Sequence, residues 1–301
     1  MSMIFTRRAV FGALPLVALG ATPAFADGLI ERRESQYNTI YITREGPYVA
    51  MQFGVNNQLF TENLYDPSRP KFLPMEYTRM MTLSLAYAAN PAKVLEIGLG
   101  GGRTAVYLTD HVPTLSVTAV ELDPEVVAMA NKHFGVRPSA RLRVETSDGR
   151  IFLTQSRDRY DIIIVDAYRG TFVPFHLTTQ QFFILAKRKL NPGGAIVQNI
   201  APNVVLTESM IATLQAVFTN VDTYEIAGSV IAIAYDGPAK TQAALLARAT
   251  ALQTRYRFTH ALPALARSRR TPPKSARRPL TDDFAPVEHL RGIQAHNARR
   301  K

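Results

Sequence analysis

The stretch KVLEIGLGGGRT, residues 93–104, decides the architecture. Val94, Leu95 and Ile97 form a short apolar run of the kind that becomes a strand covered on both faces. Four glycines follow at positions 98, 100, 101 and 102, and Thr104–His111 continues as a predicted helix. A strand that turns through glycines into a helix brings its backbone close to a ligand and points helix N–H groups at it. Position 103 is Arg103, so Gly98, Gly100 and Gly102 do not complete the GxGxxG spacing of a dinucleotide site.

Outward from this stretch, strand and helix alternate. LSVTAVEL (115–122) reads as the second strand, and Asp123-Pro124 opens a helix to Phe134 as N-cap and first helical residue. RLRVETSD (141–148) and DIIIVDAY (161–168) read as the third and fourth strands. A helix over Thr179–Lys189, a strand GAIVQNIA (194–201), a helix over Glu208–Phe218 and a hairpin turning at Gly228 complete the series. Such alternation predicts a mostly parallel sheet with helices on both faces, whose ligand lies at the carboxyl ends of the central strands. Glu121 ends the second strand, where a carboxylate can accept both hydroxyls of a ribose. Asp148-Gly149 ends the third, where a carboxylate can receive an adenine amino group. Glycine loop, Glu121 and Asp148 together fit an S-adenosylmethionine-type pocket better than a pyrophosphate one.

Ahead of this unit, YNTIYIT (37–43), PYVAMQF (47–53) and QLFTENL (58–64) alternate as strands between turn residues, and 75–89 reads as one apolar-faced helix. Thr6-Arg7-Arg8 followed by an apolar run ending in Ala24-Phe25-Ala26 predicts a twin-arginine leader cleaved after Ala26. The expected location is therefore the periplasm, with an uncleaved membrane anchor as the alternative. Cysteine is absent, which excludes disulfides, thiolate nucleophiles and cysteine-held metals; no metal site is expected. The net charge is +11, but residues 265–301 hold ten Lys/Arg against three Asp/Glu. No specific nucleic-acid binding is expected from charge so placed, although the basic tail could touch anionic surfaces. SRRTPPKSARRP (268–279) reads as a flexible linker.

Residues from Tyr37 to about Asn199, with LTDDFAPVE (280–288), resemble the spermidine synthase (polyamine aminopropyltransferase) family. The matches are VLEIGLGGGRT, VELDPEVV, SDGRIFL and YDIIIVDAY. The resemblance implies an α/β, class I methyltransferase-like Rossmann fold: a seven-stranded, mostly parallel sheet with its last strands antiparallel, and a small N-terminal β-domain. Its expected parts are a leader (1–26), the β-domain (27–74), the nucleoside-binding catalytic domain (75–240) and a C-terminal helix with basic tail (241–301). The implied donor is decarboxylated S-adenosylmethionine or S-adenosylmethionine, and the implied acceptor a small-molecule amine. The donor would be held by Gln58, Glu96, Gly98, Gly100, Gly102, Glu121, Asp148 and Gly149. Asp166 takes the place of the catalytic base; Tyr77, Arg169 and His176 would line the acceptor side. A homodimer through the N-terminal strands is a further implication.

The chain departs from the family at two acidic positions, which here are Gly101 and Arg169. Each lost ammonium–carboxylate pair would forfeit about 1–3 kcal/mol. Arg103 and Arg169 together suggest an acceptor bearing negative charge. Three readings stay open: an aminopropyltransferase, an S-adenosylmethionine-dependent methyltransferase on the same scaffold, and a non-catalytic exported nucleoside-binding protein.

Overall fold

A computed structural model describes residues 28–55, 58–168, 173–200 and 204–284. The expected leader, Arg169 and the end of the basic tail lie outside them.

Four antiparallel strands, β1 (Leu29–Glu34), β2 (Thr39–Glu45), β3 (Tyr48–Val55) and β4 (Gln58–Tyr65), form a sheet in that order. The last three follow the alternation in the sequence. β1 does not, because LIERRE is mostly charged and exposed; its backbone pairs with β2 while Glu31 takes Lys132 and His133, each at 2.7 Å. Next comes α1 (Glu76–Met81), which gives way to a 3-10 turn over Thr82–Ala86. The single helix expected over 75–89 is thus corrected. Thr82 to Ala86 are buried on every side, so no apolar stripe keeps an α-helical period, and the Thr82 hydroxyl donates back to the Arg79 carbonyl.

The remaining elements are β5 (Lys93–Ile97), α2 (Arg103–His111), β6 (Ser116–Glu121), α3 (Pro124–His133), β7 (Leu142–Thr146), α4 (Gly149–Gln155), β8 (Tyr160–Val165), α5 (Gln180–Arg188), β9 (Leu190–Ile200), α6 (Val204–Val217), β10 (Asn220–Ile226), β11 (Ser229–Tyr235), α7 (Gln242–Tyr256) and α8 (Leu262–Arg267). β5 to β11 form one sheet in the order β10-β11-β9-β8-β5-β6-β7. β7, β6, β5, β8 and β9 run parallel, and β11 lies antiparallel to β9 and β10. This is the methyltransferase-like Rossmann fold with a small N-terminal antiparallel sheet. β5 and β8 bury both faces, and the chain winds away from them in opposite directions, which opens a crevice at their carboxyl ends.

Ile40, Ile42 and Met51 of the small sheet pack on Val126, Met129 and Phe134 of α3 and its end. Asp123 caps α3 by accepting from the Glu125 amide at 2.9 Å, and its other oxygen accepts from Asn38 and Ser35. The two sheets are therefore held together beside the crevice. β9 starts earlier than expected: Leu190 pairs with Tyr160, and a register shift follows before Ala195 pairs with Ile162.

The segment 268–279, expected to be a flexible linker, is a packed strap. Arg270 and Thr223 exchange backbone hydrogen bonds, Ser275 donates to Gln215, and Arg277 pairs with Glu208. The strap ends at Leu280, which is 1% exposed. Backbone pairing and a buried anchor outweigh its polar composition. Among the described residues no helix is long and apolar enough to cross a membrane.

Candidate functional site

At the crevice, the Asp166 amide donates to the Ile97 carbonyl at 2.8 Å. Gly98, with φ of +93°, passes so close that a Cβ there would lie 2.4 Å from the Asp166 carbonyl oxygen. Only glycine permits this approach. The Asp166 carboxylate accepts from Asn199 Nδ2 of β9 at 2.8 Å. Burial pushes it up to about 7, against the opposing pull of Asn199. A carboxyl so poised can take or give a proton near neutral pH.

Glu121 is a clasp as well as a strand end. Its Oε2 accepts from the Leu99 and Gly100 amides at 2.9 and 3.3 Å, and its Oε1 from the Asp123 amide at 3.0 Å. Burial raises its pKa and the three amides lower it. A carboxylate has roughly four acceptor sites, so one is left over for a hydroxyl of a bound ribose. Asp148 caps α4, its Oδ1 accepting from the Arg150 and Ile151 amides at 2.9 Å each. Its Oδ2 lies 2.7 Å from His176 Nε2, and that bond holds the Asp148 carboxyl below its ordinary range.

These groups line one cavity of about 980 Å³, together with Gly98, Gly100, Gly149 and Tyr77. Four expected or suggested residues are not brought to it. Gln58 is exposed at the first position of β4, opposite Val55, and Phe60–Asn63 face the cavity instead. Glu96 is 1% exposed and does not line the cavity, whereas its neighbour Ile97 does; burial first, then the charge of Asp166, push its carboxyl up. Gly102 opens α2 with φ of +66°, and a Cβ there would strike Val136 at 2.5 Å. Arg103 donates to the carbonyls of Phe134 and Pro70 and lies over the Tyr65 ring, so its guanidinium is engaged away from the cavity. Arg169 lies outside the described residues.

The structure adds Glu62 and Asn63. Met51 pairs with Asn63 and Gln52 with Thr61, leaving Glu62 as an unpaired bulge residue in β4. A bulge breaks the two-residue alternation and re-aims side chains, which is how Phe60, Thr61, Glu62 and Asn63 all reach the cavity. The Tyr77 hydroxyl donates to the Glu62 carbonyl at 2.8 Å and so supports the bulge. Glu62 Oε1 is buried without a partner. Burial first, then the charges of Asp166 and Glu121, push Glu62 up to about 8. Asn63 fills the space beside Gly101: a Cβ on Gly101 would lie 2.8 Å from Asn63 Cβ and Cγ. A carboxylate at position 101, usual in the family, therefore has no room. Glu62 stands between Thr61 and Asn63, so the sequence offered only a glutamate within an expected strand, and the bulge had no signal at all.

The cavity is thus acidic. Glu62, Glu121, Asp123, Asp148 and Asp166 line it, and among the described lining residues there is no Lys or Arg. Of the two arginines behind the expectation of an acceptor bearing negative charge, Arg103 gives it no support, and Arg169 lies outside the described residues.

The spermine/spermidine synthase domain model matches residues 75–236. A polyamine aminopropyltransferase of Vibrio vulnificus (strain CMCP6) is 30% identical over 195 residues, covering 63% of this chain and 65% of the relative. The eEF1A lysine and N-terminal methyltransferase of Bos taurus is 32% identical over 178 residues, covering 53% and 26%. The chain thus spans less than two thirds of either curated relative. The crystal structure of human methyltransferase-like protein 13 in complex with SAH superimposes with a TM-score of 0.55 at 26% identity, covering 72% of this chain and 100% of that one.

Proposed function

The chain belongs to the spermine/spermidine synthase domain family, and from that premise we propose that it is an aminopropyltransferase, moving the aminopropyl group of decarboxylated S-adenosylmethionine to an amine nitrogen. The observation that carries this reading is the acidic cavity at the β5/β8 switch point, lined by five carboxyl groups. Such a cavity favours cations on both sides of the reaction. Decarboxylated donor carries a sulfonium and an ammonium; ordinary S-adenosylmethionine adds a carboxylate that these walls repel. An amine acceptor suits the same walls.

The residues fit a nucleoside donor. Gly100 has open space where a side chain would stand, Glu121 keeps acceptor capacity at the end of β6, and Asp148 holds the end of β7. When bound, the donor supplies a carbon activated by sulfonium. Asp166 orients the acceptor nitrogen and takes the proton it sheds as the C–N bond forms. The C–S bond breaks with its electron pair left on sulfur, giving neutral methylthioadenosine. Asn199 holds the Asp166 carboxylate in place through this step.

Methyl transfer from S-adenosylmethionine is the second reading. It is favoured by Gly101, where the family's usual carboxylate is sterically excluded, and by a relative whose name gives amine-bearing targets. Incubation of the purified protein with each donor and 1,4-diaminobutane separates the two. Methylthioadenosine release is the expected result; S-adenosylhomocysteine release would select the second reading, and no product with any amine would overturn both. The proposal also includes export of the folded protein, resting on Arg7-Arg8 and Ala24-Phe25-Ala26. Osmotic-shock fractionation of wild type and an Arg7→Lys/Arg8→Lys variant tests it, with retention of the variant expected.

A further inference from the structure

We propose that Glu62, carried on the bulge of β4, is an ammonium-binding residue of the acceptor site, supplying the negative charge that the glycine loop cannot hold at position 101. The inference rests on the amine-transfer reading above and adds the residue.

Asp166 and Glu62 reach one cavity from different sheets. If Asp166 serves the reacting nitrogen, Glu62 is left to meet a charge elsewhere on the acceptor. Its Oε1 is buried with no partner, an arrangement that costs free energy unless a ligand completes it. Two neighbours share the condition: Asn63 and Asn199 are 5% and 4% exposed, line the cavity, and each has an unpartnered buried Oδ1. Three orphaned acceptors around one cavity describe a site for N–H donors. Among the described lining residues the only basic group is His176, and Asp148 already engages it. The bulge is itself braced, its carbonyl accepting from Tyr77, so Glu62 is presented on a fixed support. Position 101 is closed to a carboxylate by Asn63, the next residue of the same strand. The chain thus supplies negative charge from β4 where the glycine loop cannot.

Entry of a dication has a measurable proton signature. Glu62 is pushed up to about 8, so near pH 7 the carboxyl is mostly protonated in the empty cavity. Pairing with an ammonium favours the carboxylate and releases that proton.

The test is calorimetric. Full-length protein saturated with methylthioadenosine is titrated with 1,4-diaminobutane and with propylamine at pH 7, in two buffers of different ionisation enthalpy. Wild type is expected to prefer the diamine by about ten-fold or more, with proton release, as a charge-assisted hydrogen bond implies. Glu62→Gln should reduce the preference to about three-fold or less and remove most of the proton release, whereas Glu62→Asp should keep part of both. A Glu62→Gln protein with the wild-type preference and proton release overturns the assignment. Should Glu62→Gln fail to fold, a Glu62→Asp protein identical to wild type in both readouts overturns it equally. A wild type that binds methylthioadenosine but neither amine overturns the amine-transfer reading itself, and the assignment with it.

Discussion

Asp166 and Glu121 separate two kinds of carboxylate work. Asp166 has a single side-chain partner, Asn199, and burial holds it up to about 7. If it is the base, its ionised form is the active one, and kcat/KM should rise as pH increases through about 7. Asp166→Asn is expected to lower kcat by about 10²–10⁴-fold and to erase that rising limb, with methylthioadenosine affinity retained in a direct titration. Equal rates would remove Asp166 from the chemistry. Glu121 serves structure and ligand together. The plain reading of the sequence, a carboxylate free to hold ribose, implies that truncation spares stability; the three backbone amides on its oxygens say otherwise. Glu121→Ala should lose nucleoside affinity and also about 1–3 kcal/mol of stability, whereas Glu121→Gln should keep more of the fold. Thermal melts beside methylthioadenosine titrations check both. At this scale the strand-end residues Asp148 and Asp166 were legible because strand and turn signals locate them. Glu96 was less legible: Ile97 and not Glu96 lines the cavity, and a strand buried on both faces gives no alternation from which to choose.

The parallel strands were legible because each is an apolar run bounded by turn residues, and α3 and α5 because Asp123 and Thr179 cap them. What could not be read is where non-local pairing overrides composition. β1 is charged and pairs anyway; β4 bulges because of its register against β3. The strap over 268–284 is the clearest case. Its sequence is polar and proline-rich, yet the Leu280 amide donates to Thr213 at 2.8 Å, the Gln180 amide donates to the Leu280 carbonyl at 2.8 Å, and Asp282 meets both Thr179 and Arg150. Arg150 in turn donates to the His176 carbonyl at 3.2 Å. The strap therefore ties α5 and α6 to the loop that brings His176 to Asp148. Leu280→Ala removes a buried anchor and should cost about 2–5 kcal/mol, read as a lower denaturant midpoint. Asp282→Asn, which leaves Leu280 in place, should disturb the His176 loop more than global stability. The checkable sign is weaker methylthioadenosine binding at nearly unchanged midpoint.

For the whole molecule, the acidic cavity sets an opposition between function and stability. Glu62 and Asp166 are held up to about 8 and about 7, and Glu121 is raised as well. In the unfolded chain such carboxyls titrate near about 4. Between those values the folded protein holds protons that the unfolded chain has released, so stability falls as pH rises and is lost progressively up to about 8. Glu31 and Asp66 act in the other direction. Their partners, Lys132 and His133 for Glu31 and Ser68 and Arg69 for Asp66, hold both down to about 2, and their contribution disappears only in acid. The ligand-free protein should therefore be most stable on the acid side of neutrality, and its thermal midpoint should decline between pH 6 and pH 9. Glu62→Gln/Asp166→Asn should flatten that decline, because neither replacement can ionise, and should melt above wild type at pH 9. A cationic ligand should flatten it in wild type by stabilising the carboxylates directly. A wild-type midpoint that rises through this range, or a double variant with the same slope, would mean that the cavity carboxyls ionise freely in the empty protein. Binding of a cationic substrate near pH 7 would then release no proton from Glu62.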